Sequence, residues 1–435
     1  MNAATVPSVV DSCTLIYVEV DRNSNKVWQG KLLDNGSFVA EWGRVGNQLQ
    51  SKTYHFNSFA LAQSKFDRTK RQKLRKGYTE AQIIDPQQSY SFSLKEEDLD
   101  IIAARQIEHN KDPRVKQLIR YLVAVNIHNI TSQTEISYDG TTGSFSTPLG
   151  LVTPEAIAKA REYLGEIANA ILKNNLGKAK VIRDRATLSL INSYLRLIPQ
   201  KLGSKIDYTR FFNSQEIQRQ YEIINALSAS IYQPQKSANK IFECSINRIP
   251  GSTLKGRKIF REIRKLYEST INKNHLSATY KLRRLYEIDI PSMEKAFTKK
   301  AAEIGNIKLH WHGTRASNLL SILKQGLIIP PTNAVQCTGR MFGNGIYGSE
   351  QSTKALNYAT NYWNSSGDNN QRAYMLFCEF AMGKEYCPTN NYRGSLPKKG
   401  YDSTYIKPGS SNIINQESIV YDPAQVKIKY LCEFV

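Results

Sequence analysis

The apolar residues of this 435-residue chain change rhythm twice along its length, and that change excludes a single uniform domain. From Thr14 to Val45, β-branched and aromatic runs (LIYVEV, KVWQGKLL, SFVAEWGRVG) are broken by DRNSN and DNG, which is a hairpin pattern. After Phe56 the spacing of Phe59, Leu61, Ala62 and Phe66 predicts a helix running into the basic stretch KFDRTKRQKLRKGY. Residues 79–95, with Pro86 and a Gln/Ser-rich run, read as a linker. From Asp98 to Tyr232 the period is helical. Asp112-Pro113 opens a helix with Val115, Leu118, Ile119 and Leu122 on one face, and Thr153-Pro154 opens another with Ile157, Leu164, Ile167, Ile171 and Leu172. A third carries Ile217, Tyr221, Ile224 and Leu227 from Ser214 onward. Beyond Lys240, strands alternate with short helices, and VKIKYL sets Val426, Ile428 and Tyr430 against Lys427 and Lys429. The Asn/Ser/Gly-rich 363–372 stretch reads as a surface loop.

These rhythms predict a multidomain α+β protein: a small antiparallel-sheet domain over 1–90, an all-α domain over 91–235, and a mixed α+β domain over 236–435 with a largely antiparallel split sheet. The chain carries 59 Lys and Arg against 38 Asp and Glu, a net charge of +21, which favours a polyanionic partner. No apolar run reaches the roughly 18–20 residues that span a bilayer, and MNAATVPSVVDS lacks a signal-peptide pattern, so neither membrane insertion nor secretion is expected. Six cysteines (Cys13, Cys244, Cys337, Cys378, Cys387, Cys432) stand singly, without a CxxC pair. They point to a reducing compartment and no metal site.

The densest cluster of chemistry-bearing residues begins at LHWHGTR (309–315), where a strand ends in His312-Gly313 and Ser317 is placed to cap a helix that Gly326 ends. MFGNGIYGS (341–349) follows, with Gly343, Gly345 and Gly348 around Tyr347, then the helical STKALNYA (352–359). The last piece, NQESIVYD (415–422), embeds Glu417 in a strand-like run.

The run WHGTR, then TGRMFGNGIY and KALNY, then QESIVYDPAQVKIKYL, resembles the catalytic domain of the poly(ADP-ribose) polymerases. DPRVKQLI, TPLGLVTPEAIAKA and LRLIP are similar to that family's helical regulatory domain, and EWGRVG resembles its WGR signature. The resemblance covers about 12–435 and puts the family's His-Tyr-Glu signature on His312, Tyr347 and Glu417. It implies an NAD-dependent ADP-ribosyltransferase. Cleavage of NAD passes through an oxocarbenium-like centre, but the nicotinamide already leaves as a cation and needs no general acid, so one carboxylate can suffice. The resemblance implies that Glu417 binds the nicotinamide-ribose 2′-hydroxyl and polarises the acceptor, and that His312 binds the adenosine ribose. It also implies that Gly313 offers backbone to the carboxamide, that Tyr347 and Tyr358 sandwich the ring, and that Lys354 lies near the ribose and acceptor.

Three positions depart from the family. Ala355 replaces a serine that bonds the nicotinamide amide, a loss of about 0.5–1.5 kcal/mol or three- to tenfold in affinity, with Ser352 or Thr353 as substitutes if the helix shifts. Thr314 replaces a serine and keeps the hydroxyl. Glu222 matches a regulatory acid facing the NAD site, whereas Asn225 replaces an aspartate.

In the WGR part the resemblance implies that Trp42 stacks on a DNA terminus and Arg44 bridges DNA and the other domains. Basic residues of 65–76, among them Lys70, Arg71 and Lys73, would contact phosphate, although a core tryptophan and a solvated basic face are the bland alternatives. The implied whole is a DNA-break-dependent transferase, recognising nicks or 5′-phosphorylated ends, that modifies itself and nearby proteins in a DNA damage response. It would be intracellular and DNA-associated: nuclear in a eukaryote, with KRQKLRK as an import signal, or nucleoid-bound in a bacterium. Two alternatives stay open: a catalytically weak DNA-end-binding scaffold, for which Ala355 argues, and a mono-ADP-ribosyltransferase acting on protein or DNA ends.

Overall fold

The computed structural model describes residues 7–80, 99–107, 112–140, 144–147, 150–173, 184–202, 205–231, 242–329, 342–360, 372–388, 396–410 and 413–435. The expected linker beyond Glu80, the expected loop at 363–371, Cys337 and the Thr338–Met341 part of the glycine-rich motif lie outside them. The chain divides into two compact units, one from residues 1–97 with 130–224 and one from 98–129 with 225–435.

In the first unit, β1 (Val9–Glu19), β2 (Ser24–Leu33), β3 (Ser37–Arg44), β4 (Gln50–His55) and β5 (Thr79–Glu80) form an antiparallel sheet of order β4-β3-β2-β1-β5. Two residues assigned to the linker are thus a strand, with Leu15 and Ile16 paired to Glu80 and Thr79. Helix α1 (Phe59–Arg75) starts where the Ser58 hydroxyl accepts the Leu61 N–H at 3.4 Å. It lays Phe66 onto Leu15, Trp28 and Phe38. Gly30 permits this packing, since a Cβ there would lie 2.7 Å from the Trp28 ring and 2.9 Å from Phe66.

Helix α2 (Leu99–Gln106) falls in the second unit, and α3 (Pro113–Gln133) buries Val115, Leu118, Ile119 and Leu122 as its periodicity predicts. The middle of the chain also holds a feature the helical period did not predict. A small antiparallel sheet, β6 (Ser137–Asp139), β7 (Ser144–Thr147) and β8 (Gly150–Leu151), is held by Tyr138 against Phe145 with ring centroids 4.8 Å apart. Its strands are too short for alternation to stand out from the helical pattern on either side. Helix α4 (Pro154–Lys173) packs on α5 (Arg185–Leu197), whose N-cap Asp184 accepts from Ala186 and Thr187, and α6 (Ser214–Ser230) buries Ile217, Tyr221, Ile224 and Leu227.

The second unit carries two sheets. β9 (Ser245–Arg248), β10 (Leu282–Asp289), β11 (Ile307–Gly313), β13 (Ala373–Ala381) and β17 (Val426–Phe434) form one of order β11-β13-β17-β10-β9. β12 (Ile346–Gly348), β14 (Glu385–Tyr386), β15 (Ser403–Ile406) and β16 (Glu417–Val420) form the other, of order β12-β16-β15-β14. All pairs are antiparallel except β14 with β15. Helices α7 (Leu254–Ser269) and α10 (Ser352–Ala359) pack through Ile263, Tyr267, Ala355 and Leu356 onto Trp311, Met375 and Phe377. Helices α8 (Pro291–Ile304) and α9 (Ala316–Gln325) complete it. α9 begins two residues earlier than expected: Arg315 holds the cap position and Ser317 lies buried in the first turn. The Arg315 carbonyl and Thr314 hydroxyl both accept from Asn318, which closes that turn without Ser317.

Candidate active site

Strand β11 delivers two histidines to one face and Trp311 to the other, because side chains alternate along an extended chain. Trp311 packs against Tyr267 and Phe377, and its backbone exchanges hydrogen bonds with Ser349 at 2.8 and 3.0 Å. That bridge ties the two sheets together beside the site. His312 lies half-buried at the strand end with Nδ1 2.7 Å from the Tyr347 carbonyl. A carbonyl only accepts, so Nδ1 carries the proton. Burial lowers the His312 pKa, which leaves Nε2 with a lone pair able to accept from a hydroxyl.

Gly313 follows. A Cβ there would fall 1.6 Å from the Ala355 carbonyl oxygen and 3.1 Å from the Tyr358 Cβ, so α10 packs directly on the strand backbone. Tyr347 donates its hydroxyl to the Gly343 carbonyl at 2.7 Å and accepts the Phe342 N–H at 3.1 Å. These bonds close the 342–347 loop. Gly345 meets the same demand for space, since a Cβ there would lie 2.5 Å from the Val420 carbonyl.

Glu417 opens β16 and is 8% exposed. The Lys354 ammonium, carried on α10, donates to Glu417 Oε1 and, at 3.2 Å, to the Gln416 carbonyl. Burial pulls the Lys354 pKa down while the carboxylate works against that shift. Glu417 Oε2 takes no hydrogen bond among the described residues. Burial, with Glu417's charge behind it, pushes Tyr358 up to about 12, so this tyrosine stays neutral. The geometry brings a carboxylate with one unclaimed oxygen beside an ammonium, in a half-dry setting where charges interact more strongly than in water.

Sequence reasoning missed the residues that hold this pair. The Gln416 carbonyl accepts the Ser349 hydroxyl at 2.7 Å, its Oε1 accepts the Glu350 N–H at 2.7 Å, and its Nε2 donates to Ser418 Oγ at 2.7 Å. On the other flank, the Thr353 hydroxyl accepts the Asn272 N–H at 2.9 Å and lies 3.0 Å from His275 Nδ1. The only sequence signal for either was adjacency to Glu417 or Lys354. The Thr353 contact also corrects an expectation. Ser352 donates to the Tyr267 carbonyl at 2.8 Å and Thr353 is engaged by the Asn272 loop, both wholly buried, so neither replaces the serine absent at Ala355. Ala355 belongs to the apolar core beneath the site. Thr314 Oγ1 accepts from Asn318 Nδ2 at 3.1 Å and keeps its own proton to donate.

His310, two residues before His312, is fully buried edge-on against Phe380, and neither ring nitrogen has a partner among the described residues. Burial, helped by Lys308, pushes its pKa down to about 3. The folded form therefore resists a proton that the unfolded chain takes near pH 6.5. Stability is whole above pH 6.5 and falls as the pH drops from there towards 3, by at most about 1.4 kcal/mol per pH unit. Thermal unfolding between pH 7.5 and 5 should show this loss, and His310→Phe should flatten it. An unchanged slope in that variant would place the acid sensitivity elsewhere.

In the first unit, Trp42 is half-buried on β3 opposite Trp28, and Arg44 donates to the Asn23 carbonyl at 3.1 Å and to Asn23 Oδ1 at 3.3 Å. Asn23 Oδ1 also accepts the Ile206 N–H at 2.9 Å, so Arg44 reaches the helical segment through one asparagine. Lys70 is engaged by Glu80 at 2.6 Å, beside the Cys13 thiol. Burial lifts that thiol to about 11. Arg71 is exposed on α1, and Lys73 lies over the Tyr78 ring at 5.0 Å. Glu222 and Asn225 both ride on α6: Gln218 donates to Glu222 at 3.4 Å, and the Asn225 carbonyl accepts from Ser321 at 3.4 Å.

Known families match three consecutive stretches of the chain: a WGR domain over 11–84, a poly(ADP-ribose) polymerase regulatory domain over 111–240 and a poly(ADP-ribose) polymerase catalytic domain over 258–435. A putative poly(ADP-ribose) polymerase-like protein, 100L of Invertebrate iridescent virus 6, is 35% identical over 159 residues, which cover 83% of its length and 34% of this chain. The chain belongs to the poly(ADP-ribose) polymerase family. Poly [ADP-ribose] polymerase 2-A of Oryza sativa is 24% identical over 438 residues, 94% of this chain and 64% of that protein. Human poly [ADP-ribose] polymerase 2 is 24% identical over 476 residues, 94% of this chain and 76% of that protein. The chain spans 64% of the rice protein and 45% of a Drosophila melanogaster poly [ADP-ribose] polymerase. Among the described residues no helix is long and apolar enough to cross a membrane, and no group of three His, Cys, Asp or Glu side chains could hold a metal ion.

Proposed function

We propose that this family member is a DNA-break-dependent ADP-ribosyltransferase that uses NAD as substrate. The observation that carries the reading is the nearly buried Lys354–Glu417 pair, with Glu417 Oε2 unclaimed. In this reading Oε2 accepts the nicotinamide-ribose 2′-hydroxyl, and the carboxylate charge favours the positive charge that develops as the bond from C1′ to nicotinamide breaks. The acceptor oxygen then bonds to C1′ and gives up its proton towards Glu417. His312 Nε2 receives an adenosine-ribose hydroxyl, Gly313 offers backbone to the carboxamide, and Thr314 adds a donor. The faces of Tyr347 and Tyr358 flank the ring, a fit for a flat cation. Lys354 holds Glu417 in place and faces the acceptor, and Ala355 offers no side-chain hydrogen bond to the amide.

The division of labour we propose is DNA binding in 1–90, regulation in 91–235 and catalysis in 236–435. Trp42 and Arg44 would meet the DNA end, with Arg71, Lys73 and, once released from Glu80, Lys70 on phosphates. Glu222 and Asn225 would belong to the helical element that hinders NAD until DNA docks, a shift between two preexisting states. Acceptors would be the protein itself and its neighbours near breaks, in an intracellular, DNA-associated setting.

Incubation with labelled NAD, with and without a short duplex carrying 5′-phosphorylated nicks, tests the whole. DNA-stimulated labelling is expected: a smear for polymer, a discrete shift for single units. No label with DNA binding intact would favour the scaffold that Ala355 suggests. Trp42→Ala should weaken binding of the nicked duplex by about 5- to 100-fold and cut the DNA stimulation with it, the scale of one lost base stack. Unchanged affinity, measured by fluorescence anisotropy, would make Trp42 a core residue only.

A further inference from the structure

Helix α7 of the catalytic unit carries a charge distribution that the reaction does not use. Its eleven residues from Lys255 to Lys265 hold six cations and one acid. The helix buries Gly256, Ile263 and Tyr267 and half-buries Ile259 and Phe260. At 3.6 residues per turn, Arg257, Lys258, Arg261, Arg264 and Lys265 fall within an arc of about 120° opposite that buried stripe. All five are exposed. Arg264 pairs loosely with Glu268 at 3.7 Å, and Arg257 donates to the Gly251 and Ser252 carbonyls. Lys258, Arg261 and Lys265 have no ion-pair partner among the described residues.

We infer that this arc is a second contact surface for the phosphates of duplex DNA, located on the catalytic domain itself. The inference rests on the DNA-dependent reading above. Charge complementarity favours a polyanion, since the arc spans roughly 12 Å of helix with a net excess of cations. Its rigid line of charge suits a partner whose phosphates are already in place, because a flexible chain loses entropy on ordering. Three of the five cations are arginines, whose planar forks match phosphate oxygens. The arc holds no aromatic side chain, and the nearest, Phe260, is turned towards the core. Single strands and ADP-ribose chains present bases that favour aromatic stacking, so their recognition would call for a ring here.

The test measures duplex affinity of the full chain against salt for three proteins: the parent, Arg261→Gln with Lys265→Gln, and a charge-matched control, Lys295→Gln with Lys299→Gln on α8. Each phosphate contact contributes about 0.9 to the slope of log affinity against log salt. The α7 pair should lower the slope by about 1.8, so that between 50 and 200 mM salt the parent loses about 12-fold more affinity than the variant. The control pair should leave the slope unchanged. No change in the α7 variant, or an equal change in both pairs, overturns the inference. Weakened binding of purified ADP-ribose polymer with duplex binding intact overturns it too, and assigns the arc to the product. A parent that binds no duplex at all defeats the DNA-dependent reading instead. Unfolding midpoints matched among the three proteins separate lost contacts from lost structure.

Discussion

Glu417→Gln is expected to slow transfer of ADP-ribose by about 10²- to 10⁴-fold while changing NAD affinity by no more than about threefold. In the proposed role the amide would keep an oxygen for the ribose hydroxyl, so ground-state binding should survive. It would lack the charge proposed to favour the oxocarbenium-like centre and the basicity proposed to draw off the acceptor proton. The variant also strips Lys354 of its counter-ion in a largely buried position. Removing one partner of such a pair destabilises the fold, so a lower unfolding midpoint is expected alongside the lost rate. Adding Lys354→Met removes the orphaned charge and should restore the midpoint without restoring transfer. Nicotinamide release at saturating NAD, calorimetric NAD binding and thermal unfolding read the three quantities separately. Transfer within tenfold of the parent would remove Glu417 from the reaction.

Gly313→Ala is expected to lower the unfolding midpoint of the catalytic unit by about 4–10 °C and to abolish measurable NAD binding. The added methyl would sit 1.6 Å from the Ala355 carbonyl oxygen, which is helix backbone and has no rotamer to change. Either α10 moves off β11 or the strand end bends. Both displace Tyr358 and Lys354, which share that helix. Gly251→Ala is the control, since a Cβ there meets nothing within 4 Å. Equal midpoints in the two variants would show that the packing at Gly313 relaxes without loss.

The elements themselves were legible where one period ran long enough. The apolar faces of α3 and α6 and the hairpins around DRNSN and DNG are where the pattern placed them, because burying one face of a regular element writes its period into the sequence. Where segments were short the pattern failed. β5 is two residues long, and β6 to β8 hide between helices. The cap of α9 lies two residues before the expected serine because backbone and Asn318 close the turn that Ser317 was expected to close.

The sequence alone marked the candidate side chains. His312, Gly313, Tyr347, Lys354, Tyr358 and Glu417 stand in motifs whose order names a family and whose residue types suit a cationic leaving group. Only the tertiary structure decided how those groups are partnered. Gln416, Ser349, Thr353, Asn272 and His275 brace the Lys354–Glu417 pair from three segments far apart in the chain, 272–275, 349–353 and 416, and no local pattern records that convergence. It also decided that the hydroxyls of Ser352 and Thr353 are used elsewhere. The physical reason is the same in each case. Periodicity reports how one element meets its own core, whereas a hydrogen bond between distant loops depends on where folding brings their ends.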